Sequence, residues 1–108
     1  MSSSRPSIAS MMMLAIDANN REFELTIAIG APYEHPGGGW ACPASMHGLW
    51  GDFRDIHGAD SWQALQLAYG TIAEMLVHFV KEGGRLRWPD TGAPIVPEEL
   101  LPRMAVRD

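Results

Sequence analysis

The chain has 108 residues, 46% of them hydrophobic and 19% charged, which is ordinary for one globular domain and excludes disorder along its whole length. A formal charge of -5, with eight basic residues scattered along the chain, excludes the clustered Lys and Arg that a sequence-blind nucleic-acid binder needs. One cysteine, Cys42, allows neither an intramolecular disulfide nor a two- or four-cysteine zinc site within one chain, and no apolar run approaches the roughly 20 residues of a membrane-spanning helix.

Residues 1–10 are serine-rich, contain Pro6 and read as a disordered leader, with Met11, Met12 and Met13 each an alternative start. Met12, Leu14 and Ile16 then alternate with Met13, Ala15 and Asp17, which predicts a first strand. Asn19-Asn20 suits a tight type I′ hairpin, because Asn tolerates positive φ. In the second strand Phe23, Leu25, Ile27 and Ile29 alternate with Glu22, Glu24, Thr26 and Ala28. One apolar and one mostly polar side imply a sheet with a wet face, and hence antiparallel pairing.

Gly30 to Gly39 reads as a loop, with Pro32, Pro36 and three consecutive glycines. Those glycines lack the Lys-Ser/Thr of a phosphate loop and precede no helix. Trp40 to His47 predicts a third strand, with Pro43 marking an edge or a bulge. A turn at Gly48–Gly51 leads to a short fourth strand around Phe53 to His57.

Asp60 is a fitting N-cap, and Gln63 three residues on completes a capping box. At 100° per residue Leu65, Ala68, Tyr69, Ile72, Leu76 and Phe79 form one stripe, flanked by Trp62, Met75 and Val80. Gly83-Gly84 stops the helix. About 22 residues make a rod of about 33 Å, enough to cross a sheet. Arg85 to Trp88 reads as a last strand, Pro97-Glu98-Glu99 as one helical turn, and 89–108 as a Pro-rich tail. The expected architecture is α+β: an antiparallel sheet of four to five strands, one long helix on one face, and a single domain over 11–88.

Candidate chemistry is sparse. The spacing of His35, His47, His57 and His78 with Cys42 matches no compact metal-ligand motif, and a small metal-dependent enzyme would use His47, His57 and nearby aspartates. Asp52 and Asp55 read as a solvated acidic edge that offers a basic partner an electrostatic landing surface. Cys42, in a strand, reads as a small buried hydrophobe. Leu67, Gly70 and Val77 lie on the helix side opposite the core stripe, and a mid-helix glycine costs ~1 kcal/mol against alanine. Cover by the tail, through Ile95, Val96, Leu100 and Leu101, is the expected explanation, with a homodimer or a foreign protein as the alternatives. Trp62 and Trp88 read as core, whereas Trp40 and Trp50 flank loops, where an indole anchors an interface.

Trp40-Ala41-Cys42-Pro43, then Gly48-Leu49, then Asp60-Ser61-Trp62-Gln63-Ala64-Leu65-Gln66-Leu67-Ala68, then Gly84-Arg85-Leu86-Arg87-Trp88, resembles the pattern of a family of small uncharacterised bacterial proteins over roughly residues 12 to 89. The family has no established catalytic residues to carry over. Small single-domain proteins of this sort resemble immunity proteins encoded beside secreted bacterial toxins. The expectation is therefore a cytoplasmic, non-catalytic protein-binding module without cofactor or metal, whose partner is a toxin, another protein or a second copy of itself.

Overall fold

A computed structural model describes residues 6–100, and two antiparallel sheets and one helix account for most of them. Strands β1 (Ser7–Ile16), β2 (Glu22–Gly30), β5 (Ala44–His47), β6 (Gly51–Asp52) and β8 (Arg85–Arg87) form a five-stranded sheet in the order β6-β5-β2-β1-β8. Strands β3 (Tyr33–Glu34), β4 (Trp40–Cys42) and β7 (Ile56–Gly58) form a three-stranded sheet in the order β3-β4-β7. Helix α1 (Ser61–Lys81) packs across both. The expected α+β class holds, with a second small sheet added. Among the described residues no helix is long and apolar enough to cross a membrane.

The first hairpin sets the frame. Met13 pairs with Leu25 and Ala15 with Phe23, so the buried face of β1 carries Met13 and Ala15, not the bulkier set Met12, Leu14 and Ile16. Directly opposed residues share a face, and the apolar side of β2 therefore chooses the side of β1 that is buried. The strand also starts at Ser7, so residues 7–10 pair with the end of β2 instead of forming leader; residues 1–5 lie outside the described residues. At the tip only Asn20 has positive φ (69°), whereas a type I′ turn needs two such residues. The Asp17 carboxylate accepts the N–H groups of Asn19 and Arg21 (both 2.9 Å), which holds a three-residue loop ending in one left-handed Asn.

Residues 40–47 do not form one strand. Pro43 offers no N–H, and there the chain leaves the small sheet for the large one, with the Pro43 C=O accepting from Gly30 (3.0 Å). Of the strand expected around Phe53 to His57 only the end forms, as β7 in the small sheet, while β6 at Gly51–Asp52 precedes it in the large sheet. The loop expected over 30–39 contains the two-residue strand β3.

The Asp60 carboxylate accepts the Gln63 N–H (2.8 Å), and the Gln63 side chain accepts the N–H of Ala59 (2.6 Å), one residue before the cap. The helix ends in a Schellman motif: Gly83 donates to Val80 and Gly84 to Phe79 (both 3.0 Å), with Gly83 at φ 100°. Ala64, Ala68, Ile72 and Leu76 are buried in the core between helix and sheets, with Leu65, Tyr69, Met75 and Phe79 packed around them. Phe79 meets Phe23 edge to face, 6.1 Å between centroids. Trp62 was expected to flank the core, yet it is 72% exposed, and Trp88 is 38% exposed. Small alanines occupy the buried face of the helix, while Trp62 in its first turn stands in water.

The core continues past residue 88. Ile95 is buried, donates its N–H to Leu86 (2.8 Å), and extends the β8 edge together with the Arg87–Pro94 bridge. A 3-10 turn, Pro97–Leu100, follows and docks Leu100 on the core; Leu101 lies outside the described residues. Among the described residues the tail does not close over Gly70. A Cβ built there would meet no neighbouring atom within 4 Å.

Candidate functional site

The outer face of the small sheet gathers two of the titratable side chains expected to matter, His57 and Asp55, with Tyr33 and His35 beside them. Tyr33, Ala41 and His57 stand in one cross-strand row. His35 and Asp55, each two residues away along its chain, reach the same side. The Tyr33 hydroxyl donates to the Asp55 carboxylate. The rings of His35 and His57 meet edge to face with centroids 4.6 Å apart, and His35 Nδ1 accepts the Gly37 N–H (3.0 Å). These contacts pin the β3–β4 loop to β7. His47 is in the other sheet, across β5–β6 from Asp52 (3.1 Å), and both side chains are exposed. The structure therefore does not bring His47 and His57 together. Among the described residues no group of three or more His, Cys, Asp or Glu side chains is placed to hold a metal ion.

Cys42 is fully buried, and its thiol donates to the Gly30 carbonyl (3.3 Å). Burial first, and the Asp55 carboxylate second, push its pKa up. A thiol reagent at neutral pH is expected to label Cys42 only through unfolding, at least about 1,000-fold more slowly than in urea. Raised folded-state pKa values have a definite sign. As pH climbs, the unfolded chain loses the thiol proton first, so stability is present below the ordinary thiol range near ~8.5 and declines above it. Burial raises the Tyr69 phenol in the same direction and continues the decline at higher pH. Urea midpoints measured from pH 7 upward check both.

The surface residues expected to bind fall into separate places. Trp40 is half-buried and packs on the core, so it is no free anchor. Trp50 is 62% exposed and stacks on Phe53, 6.2 Å between centroids, beside the exposed Asp52. Asp55 is engaged by Tyr33. Leu67, Gly70 and Val77 share the outer side of α1, where Gly70, Ala73, Glu74, Val77, His78 and Lys81 line a shallow, polar-rimmed depression.

A groove not foreseen from the sequence lies on the other flank of the helix. Ile8 and Ala9 of β1, Ile29 of β2, and Trp62, Leu65 and Tyr69 of α1 line about 370 Å³ of apolar space. Ile8 is 58% exposed, so with Trp62 the groove presents two large apolar side chains to water. The strand register explains its shape. Pairing slips between Ser7 and Ala9, a β-bulge that takes Ile8 out of the alternation and brings it to the same side as Ala9. Trp62 was legible as a flank residue, but no local pattern indicates how far the sheet extends beneath it.

Together these features define a small α+β domain, one helix laid over an antiparallel sheet, with an apolar groove at the start of the helix. The chain belongs to the DUF6968 family, a domain of unknown function, which matches residues 11–95. No curated protein and no solved structure matches it.

Proposed function

We propose that this domain is a non-catalytic protein-binding module that grips its partner in the groove beside Trp62. The observation that carries this reading is the 72% exposure of that indole over an apolar floor. Large aromatic side chains left in water beside an apolar depression mark interaction sites, and tryptophan is the residue most enriched among binding hot spots. The charge of -5 favours a basic partner and fast encounter with it. An immunity-like inhibitor of a secreted bacterial toxin is the version of this role that small size and acidity fit best.

Mixing purified protein with the product of the neighbouring gene tests it. The wild type is expected to form a stoichiometric complex and to protect cells in co-expression. Trp62→Glu is expected to weaken that complex about 30-fold, the size of a ~2 kcal/mol hot spot. Unchanged affinity in Trp62→Glu overturns the groove as the docking site. Absence of both complex and protection overturns the inhibitor role.

A further inference from the structure

We propose that two copies of this chain join edge to edge through residues 9–13 of β1, making one continuous antiparallel sheet across a two-fold axis at Met11. Hydrogen-bond accounting leads there. In an antiparallel ladder bonded and non-bonded pairs alternate, and at the hairpin neck Asp17 donates to the Arg21 carbonyl (3.0 Å). With the observed register, odd-numbered residues of β1 turn their N–H and C=O toward β2, and even-numbered residues turn theirs outward. Outward-facing Leu14 and Ile16 meet Arg87 and Arg85 of β8. The other side of β8 agrees, since Leu86 and Trp88 bond Ile95 and Ala93. Ser10 and Met12 also face outward, and among the described residues no strand lies beside them. Among the described residues two donors and two acceptors are thus unpaired on an extended edge, the arrangement that templates a further strand.

The window is self-complementary. It is closed at one end by the bulge at Ile8 and at the other by β8, which takes over at Leu14. The five residues between them are centred on Met11. A two-fold axis there places Ser10 opposite Met12 of the second copy and Ala9 beside its Met13, small against large on each face of the sheet. Ser10 and Met12 then exchange all four outward groups with their counterparts. Charge selects the occupant. Residues 6–16 contain no ionisable side chain, so two chains of charge -5 can approach here without setting like charges opposite one another. Natural edges that stay unpaired carry Lys, Pro or inward charges, and this window has none.

Sedimentation of the full chain over a concentration series tests the dimer. Wild type is expected to reach twice the 11.8 kDa chain mass. Ser10→Pro removes an outward N–H and spares the β2 ladder, and Met12→Lys puts a charge on the edge. Both are expected to sediment as monomers with unchanged far-UV circular dichroism. Met11→Cys is expected to form an inter-chain disulfide in air, because a non-bonded pair across the axis brings Cα atoms to about 4.5 Å. A monomeric wild type at every concentration, a Ser10→Pro variant that dimerises like wild type, or a Met11→Cys variant that stays uncrosslinked overturns the proposal. Trp62→Glu is expected to keep the dimer mass, so the groove reading and the edge reading fail separately.

Discussion

Gly58→Ala is expected to destabilise the domain by about 3 kcal/mol, the upper part of the range for overpacked sites. A Cβ at this position would stand 2.5 Å from the Ala64 nitrogen and 2.9 Å from its Cα. Both are backbone atoms of the first helical turn, so no rotamer change relieves the clash. Gly58 ends β7 and pairs with Trp40, while Ala64 is fully buried two residues after Trp62. Relief therefore requires α1 to lift off the small sheet, which opens the contact that seats its start. Gly70→Ala is the matched control. It meets no neighbour within 4 Å, and replacing a mid-helix glycine there is expected to stabilise by about 1 kcal/mol. Urea unfolding of the two variants, with midpoints moving in opposite directions and the slope unchanged, checks the pair. A Gly58→Ala protein as stable as wild type would show that the helix start is not seated as closely as described.

The contrast between these two glycines shows what the sequence could and could not disclose. Gly70 stood out because glycine is unfavourable inside a helix, an intrinsic property readable at one position. It led to the expectation of a covering segment, and among the described residues none lies at that point. Gly58 gave no signal, because its role depends on how closely a helix several residues later returns to the strand. The alternation of Phe23 to Ile29, the Asp60–Gln63 cap and the Gly83-Gly84 stop were all legible, since each is a local device with its own period or bonding pattern. The switch of sheets at Pro43 was not, because a proline that ends one ladder reads the same whether the chain bulges or leaves. The groove lay further out of reach. It needs the β1–β2 register, the bulge at Ile8 and the reach of α1 at once, and none of these is written within a single segment.

Leu76→Ala is expected to cost about 3–4 kcal/mol, within the range for truncating a fully buried leucine. Leu76 is 1% exposed and belongs to the cluster that joins Met13, Leu25, Met46 and Leu86 of the large sheet to Ile72 of the helix. The lost side chain leaves a cavity between layers, and its neighbours include other fully buried side chains that cannot collapse into the space without breaking a ladder. A domain of this size holds only about 5–15 kcal/mol in total, so the variant loses a large share of its margin. The prediction also bears on cooperativity. The helix buries alanines and a few large residues, too little apolar surface to stand alone in water, and the sheet has one face to cover. Far-UV circular dichroism, which follows the helix, and tryptophan fluorescence are therefore expected to give coincident transitions shifted together by Leu76→Ala. Should the fluorescence transition move while helical signal persists to the wild-type midpoint, helix and sheet would be separately stable, and the packing of Leu76 would not be what joins them.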